Sequence, residues 1–232
     1  WMQEQGIDAR LQAGVKNVLI IDGHVAGVEL RSGERIDADA IILAVPPDRV
    51  SGLLPESIRD DSFWQTPAKL ESAPISSVHL WFDRPITDLP HATFVGRLSH
   101  WLFNRSSIRD AETAETSAYY QGVISASRGL EGRTQDDIIG EVMEDLAVAW
   151  PATRDAKLQH GRLVTEHKAV ISMLPGVEEL RPSQETPIAN LFLAGDWTRT
   201  GWPGTMEGAV RSGWLAAEAL LRQLERPEAV LQ

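Results

Sequence analysis

Residues 190–213 constrain this chain more than any other stretch. A short apolar run, Asn190-Leu191-Phe192-Leu193-Ala194, meets Gly195-Asp196 directly; a loop holding Trp197, Thr198, Trp202 and Pro203 follows, and then Gly204-Thr205-Met206-Glu207-Gly208-Ala209-Val210-Arg211-Ser212-Gly213. That order predicts a buried strand, a turn, a loop and a helix in immediate succession. Glycine at 195 lets the backbone come close to a ligand, and Asp196 offers a carboxylate to sugar hydroxyls. A helix starting near Thr205 aims free N–H groups and the positive end of its dipole at one point, so the place favours an electron-rich or anionic group.

The rest of the chain reads as strands with a few helices. Val18–Ile21, the turn Asp22-Gly23-His24 and Val25–Leu30 predict a hairpin, and Arg31-Ser32-Gly33-Glu34 a further turn. Asp39–Val45 is apolar on both faces, as in a strand buried within a sheet, and Pro46-Pro47 stop it. Ile58, Phe63, Trp64 and Leu70 have helical spacing, but Pro67 argues against one unbroken helix. Ile75–Phe82, Ala92–Val95, Trp101–Phe103 and Ala118–Ser125 predict a mostly antiparallel sheet. Thr134 followed by Asp136 and Asp137 marks a helix start, with Ile138, Val142, Leu146 and Trp150 at helical spacing up to Pro151. Residues 157–171 read as extended. Met206, Ala209, Val210, Gly213, Trp214, Ala217, Leu220, Leu221 and Leu224 form an apolar stripe through a final helix.

Composition removes several function classes. With 22 Lys and Arg against 33 Asp and Glu the net charge is −11, which disfavours a nucleic-acid partner. No cysteine is present, which excludes disulfides, thiolate nucleophiles and Cys-ligated zinc and suits a reducing, cytoplasmic compartment. His24, His91, His100, His160 and His167 lack metal-ligand spacing, so no metal site is expected; His79, alone on a strand, reads as structural. Asp60-Asp61 and Asp136-Asp137 are adjacent and poorly placed for paired acid–base work. Asp48, Arg49 and the acids of 107–116 read as solvated surface. Arg199 meets either a phosphate or a surface acid.

The 190–213 stretch resembles the C-terminal flavin motif of the FAD-dependent amine oxidase and phytoene desaturase superfamily. Weaker likeness extends upstream through Ala13-Gly14-Val15, Asp39–Pro47, Leu180-Arg181-Pro182 and Thr186-Pro187. The resemblance implies an FAD cofactor: Asp196 bonds the ribityl chain, backbone at Gly195-Asp196 lies near the pyrophosphate, and Val15 backbone meets the adenine. It places the Met206 N–H at the flavin N1/C2=O edge, with Thr205 and Glu207 beside it in the same motif; Glu207 reads as a helix-start acid. Trp197, Trp202 and Pro203 are the substrate-side candidates, and no side chain is assigned as catalytic, flavin N5 being the reacting atom.

Within the superfamily, Pro74–Pro85 and Gly195–Pro203 resemble the squalene-associated desaturases, also described as hydroxysqualene dehydroxylases of hopanoid biosynthesis. That likeness implies reductive removal of a hydroxyl from hydroxysqualene to give squalene. The alternatives are a carotenoid or phytoene desaturase, an amine oxidase, or a non-catalytic fragment unable to hold FAD. Amine oxidases of the superfamily carry a lysine on the strand matching Ile75–Phe82 and often a tyrosine before the Met-Glu-Gly; Ser76, Ser77 and Thr205 stand here. Trp81, Phe82, Trp101, Phe103 and Tyr120 either line an apolar tunnel for a C30 chain, as the resemblance implies, or pack an ordinary core.

No two of the 18 glycines stand at i and i+2, so the superfamily's Gly-x-Gly-x-x-Gly is absent. With the polar opening Trp1-Met2-Gln3-Glu4-Gln5, this leads to the expectation of a longer protein whose first ~150 to 200 residues supply the other half of the FAD domain. The expected fold is α/β mixed: a partial Rossmann-like FAD-binding domain, residues 1–55 and 155–232, interrupted by a substrate-binding subdomain, 56–154, of mostly antiparallel β-sheet plus helices. An isoprenoid small molecule is the expected partner, which makes membrane-peripheral association compatible with the sequence.

Overall fold

A computed structural model describes residues 1–108, 118–228 and 230; Asp110, Glu112 and Glu115 of the expected solvated acids lie outside these. In chain order the elements are β1 (Val15–Ile21), β2 (His24–Leu30), β3 (Arg35–Asp37), β4 (Ile41–Leu43), α1 (Pro47–Val50), α2 (Glu56–Arg59), α3 (Ser62–Gln65), β5 (Ser72–Phe82), β6 (His91–Thr93), β7 (Trp101–Asn104), α4 (Arg105–Ile108), β8 (Ala118–Ile124), α5 (Gln135–Ala149), β9 (Leu158–Ile171), α6 (Val177–Leu180), β10 (Leu191–Leu193) and α7 (Met206–Gln223). They form two compact units, Trp1–Glu71 with Ile171–Gln232, and Ser72–Val170. The breaks fall after residues 71 and 170, not 55 and 154. The short helices after β4 bury Val50, Leu54 and Trp64 with Val18, Leu191 and Leu193, and so belong with the strands of the first unit.

In the first unit β1, β2 and β3 form an antiparallel sheet. Asp22 and Gly23 both take left-handed φ, 50° and 78°, the mirror-image turn that matches strand twist in a tight hairpin. A second sheet pairs β4 with β10 in parallel, Leu191 opposite Ile41 and Leu193 opposite Leu43. Asn190 ties the two sheets: its Oδ1 accepts the Val25 N–H at 2.8 Å, and its Nδ2 donates to the carbonyls of Val25 at 2.9 Å and Asp39 at 2.7 Å.

Two expectations for this unit need correction. The Asp39–Val45 run is not buried on both faces: Leu43 is in the core, while Ile42 is 38% exposed. Among the described residues β4 pairs only with β10, and α7 packs on β10. The apolar stripe of α7 is likewise not its buried face. Gly208, Ser212, Ala216 and Ala219 face inward, with Ala216 and Ala219 on Phe192 and Ala194 of the β10 run. Met206, Val210 and Trp214, on the other side, are exposed. Small side chains win the inner face because they let the helix axis approach the strand closely.

The second unit is a sheet in the order β6-β7-β8-β5-β9. Thr134 caps α5 by accepting the Asp137 N–H at 3.2 Å, and Ile138, Val142 and Leu146 pack on Val78, Leu80, Phe82 and Tyr120. Alternation along the strands then sends Ser77, His79, Trp81, Tyr119, Gln121, Trp101 and Phe103 to the face away from α5. The expected tunnel set is therefore split: Phe82 and Tyr120 are core residues on the helix side, and Trp81, Trp101 and Phe103 stand on the opposite face together with Tyr119, which that set omitted. Among the described residues no helix is long and apolar enough to cross a membrane.

Candidate functional site

The site is built where β10 ends. Gly195 follows with φ 148°, a conformation that disfavours side chains, and a Cβ there would collide with the Trp197 indole. Its N–H donates to Ser212 Oγ at 2.7 Å, and Ser212 Oγ donates onward to the Ala209 carbonyl at 2.6 Å, so the turn is bolted to the first turns of α7. A Cβ on Gly208 would run into the Pro203 carbonyl, which explains glycine at a second point of the motif. Thr205 caps α7, accepting the Gly208 N–H at 3.1 Å and donating to the Pro203 carbonyl at 3.2 Å.

Asp196 is half-buried and makes no ion pair among the described residues. Burial pushes its carboxyl pKa above the ordinary value; Arg181 and the backbone N–H groups of Asp196 and Trp197 oppose that shift. Its Oδ2 lies beside Gly204, immediately ahead of the α7 cap. Arg181 is buried beneath the turn: Nη1 pairs with Glu178 at 2.7 Å, Nη2 donates to the Asp196 carbonyl at 3.0 Å and to Thr200 Oγ1 at 3.4 Å, and Nε has no partner among the described residues. Gln184 braces the same loop, donating from Nε2 to Thr198 Oγ1 at 3.0 Å and to the Arg199 carbonyl at 3.1 Å.

The other residues singled out from sequence fall at different distances from this centre. Trp197 belongs to the core at 2% exposure, its Nε1 donating to the Val45 carbonyl at 3.0 Å, so its ring props the turn from beneath instead of facing a substrate. Trp202 is 46% exposed with the Arg211 guanidinium 5.6 Å from its ring centre, and Pro203 is exposed. Met206 is 88% exposed at the helix start, and Glu207 lies 3.9 Å from Arg211. Arg199 is exposed, its N–H held by the Pro182 carbonyl at 2.7 Å. Val15 opens β1, and no hydrogen bond or ion pair joins it to the Gly195–Glu207 cluster among the described residues. Sequence reasoning gave no role to Ser212, whose only signal was a hydroxyl one turn beyond Gly208, or to Tyr119, which carried none.

These residues fit a flavin nucleotide on the structure's own terms. A glycine cradle that no Cβ enters, a half-buried carboxylate without an ion-pair partner among the described residues and the Met206 and Glu207 N–H groups, which the Thr205 cap does not take up, at the start of an 18-residue helix suit a polyol joined to an electron-rich ring. In the second unit the Ser76 hydroxyl lies 2.8 Å from both Ser127 Oγ and Thr165 Oγ1 on the α5 side, and Ser77 accepts from Gln121 at 3.2 Å on the other. Among the described residues no group of three His, Asp or Glu is arranged to hold a metal ion.

Comparison with known proteins agrees with this geometry. Residues 2–221 match the flavin containing amine oxidoreductase family. The chain is 31% identical to a 15-cis-phytoene desaturase of Synechococcus elongatus, covering 95% of this chain and 49% of that protein, and 31% identical to the chloroplastic/chromoplastic 15-cis-phytoene desaturase of Solanum lycopersicum, covering 97% and 40%. It is 28% identical to a probable zeta-carotene desaturase of Synechococcus elongatus, covering 95% and 51%. The chain thus spans about half of the length of these curated relatives, or less. Among solved structures, wild-type putrescine oxidase bound to putrescine superposes with a TM-score of 0.62 at 14% identity, covering 95% of this chain and 51% of that one, and an oxidoreductase from Methanosarcina mazei with 0.66 at 16%, covering 91% and 50%. At such identities these two likenesses establish the fold, a mixed α/β architecture with an antiparallel sheet. The chain belongs to the flavin containing amine oxidoreductase family, whose cofactor is FAD.

Proposed function

We propose that the full-length protein is an FAD-dependent oxidoreductase acting on a long isoprenoid, of the carotenoid-desaturase kind. The observation that carries this reading is the Gly195-Asp196 turn bolted by Ser212 to the start of α7. In it the first unit is part of the FAD-binding domain and the second the substrate side. The Asp196 carboxylate accepts from ribityl hydroxyls, backbone at Gly195 lies against the pyrophosphate, and Val15 backbone meets the adenine. The Met206 N–H and the capped start of α7 favour negative charge at the flavin edge by about 0.3–2 kcal/mol. When bound, the flavin supplies two-electron exchange; the chain's own residues bind, orient and exclude water. Trp202 and Pro203 are the substrate-side candidates of the first unit, and the aromatic face of the second unit is an apolar surface suited to an isoprenoid.

The names of the curated relatives support carotenoid desaturation over amine oxidation, and Ser76, Ser77 and Thr205 leave no lysine or tyrosine at the amine-oxidase positions. A narrower second reading, hydroxysqualene dehydroxylation to squalene, is favoured by the Pro74–Pro85 and Gly195–Pro203 stretches. A water-insoluble substrate fits a cytoplasmic protein that meets a membrane peripherally.

The test is the 450 nm absorbance of purified full-length protein, followed by turnover with phytoene and with hydroxysqualene. Bound flavin that is lost in Asp196→Ala, with conversion of one of the two isoprenoids, is the expected result. Full-length protein without flavin, or flavoprotein that oxidises only amines, overturns the reading.

A further inference from the structure

We propose that His79 and Tyr119 form a polar anchor in an otherwise aromatic wall, selecting an isoprenoid that carries a hydroxyl over a pure hydrocarbon. The inference rests on the reading of the second unit as the substrate side, and of the two substrates named above it favours the hydroxyl-bearing one, hydroxysqualene, over phytoene. The β5–β8 register sets His79 opposite Gln121 and Trp81 opposite Tyr119, which makes His79 and Tyr119 diagonal neighbours on one face. His79 Nδ1 lies 2.6 Å from Tyr119 Oη. Around them the face is aromatic: the Trp81 and Tyr119 rings stack at 4.6 Å and 4°, His160 lies 5.1 Å from Trp81, and Trp101 and Phe103 stack at 5.8 Å and 9°. Trp101 is 40% exposed. The nearby polar pair, Ser77 and Gln121, bond to each other.

What remains is His79 Nε2, which makes no hydrogen bond among the described residues. If Tyr119 donates to Nδ1, Nε2 carries the proton and is a donor; if Nδ1 donates to Tyr119, Nε2 is an acceptor. A hydroxyl, which both donates and accepts, meets either tautomer. A hydrocarbon laid over the same face leaves Nε2 dry and unpaired, which costs binding energy. The groups facing the imidazole are Arg162 and His160 of β9, Arg105 of α4, and Tyr119. Burial first, then Arg162 and Arg105, hold its pKa below the ordinary histidine value, so the ring is neutral at neutral pH and keeps one outward nitrogen in either role.

Equilibrium dialysis of tritiated farnesol and tritiated farnesene, C15 chains with and without a hydroxyl, against full-length protein tests the anchor. Farnesol is expected to bind about three- to tenfold more tightly than farnesene, the range of one net hydrogen bond. His79→Leu is expected to abolish that preference, because farnesol loses its partner and farnesene, which no longer buries an unpaired ring nitrogen, binds more tightly. Tyr119→Phe, which keeps the ring stack, is expected to narrow it, and Trp81→Ala to weaken both probes alike. Equal affinity of the two probes in the unmodified protein, binding of neither, or a preference untouched by both His79→Leu and Tyr119→Phe overturns the proposal. If His79→Leu fails to fold, Tyr119→Phe decides alone. Absorbance at 450 nm on the same samples separates the two failures: lost flavin sinks the oxidoreductase reading, lost discrimination sinks the anchor.

Discussion

Arg181 Nη2 donates to the backbone carbonyl of Asp196 at 3.0 Å, so a buried cation holds the turn that carries the half-buried Asp196 carboxylate. The same guanidinium reaches Thr200 and Glu178, and thereby fastens the loop after β10 to α6. Its value lies in geometry: five donors in a rigid fork can serve three acceptors on two segments at once, a fixed pattern that a lysine ammonium does not match.

Replacing Arg181 by Met leaves the Asp196 carbonyl and Thr200 hydroxyl without their donor inside the fold. We expect a loss of about 2–4 kcal/mol, tempered because Glu178 is half exposed and stays solvated. Arg181→Lys should recover only part of it. Urea unfolding of the full-length protein and both variants measures this; equal midpoints for all three would show that the buried fork contributes nothing.

Asp196 should make stability depend on pH in the less usual direction for a carboxylate. Burial raises its folded pKa above the unfolded value, so the folded state holds the proton more tightly and stability from this group is lost as pH rises through the raised value. Asp196→Asn removes the penalty. In flavin-free protein the variant should be more stable than the unmodified protein at neutral pH, with the gap closing towards acid; denaturation midpoints across the acid-to-neutral range that run parallel would contradict this.

Ser212→Ala strips the acceptor from the Gly195 N–H, a donor fixed at 2.7 Å inside the fold. Leaving it unmet costs about 1–3 kcal/mol. Gly195→Ala should be worse, since the new methyl group meets the Trp197 indole at a φ that alanine disfavours, adding about 1–3 kcal/mol of backbone strain alone. Thermal unfolding should rank the two in that order, and Gly195→Ala should also lose flavin.

Thr205 and Thr134 are the same cap on two helices, each accepting an N–H from the third residue on. Either threonine changed to alanine should cost about 1 kcal/mol. Only Thr205→Ala should also weaken flavin retention, because only α7 begins at the proposed cofactor. Matched stability losses with unequal 450 nm absorbance is the expected pattern; equal absorbance would separate the α7 start from the flavin.

Much of the architecture was legible in the residues. The Asp22-Gly23 hairpin, the Thr134 cap, the strand at 191–193 and the helix from 206 are local features, written in turn chemistry, capping side chains and apolar runs, and each sits within a few residues of where it was expected. The turn at Gly195 was legible for the same reason: a glycine directly after an apolar strand marks a tight turn of the backbone.

What the chain alone determined is therefore the kind and order of its elements and the chemistry at their junctions. The tertiary structure decided which faces meet. An apolar stripe on α7 announces a face but not its neighbour, and close packing on β10 selected Gly208, Ser212, Ala216 and Ala219, leaving Met206, Val210 and Trp214 outward. Strand register, a long-range property, put His79 beside Tyr119 across 40 residues, and the packing of α5 decided which of the two alternating faces, that of Trp81 or that of Phe82, became the core. Arg181 reads in sequence as one more charged residue before a proline. Only folding, by withdrawing it from water and surrounding it with acceptors, makes it the clamp of the site.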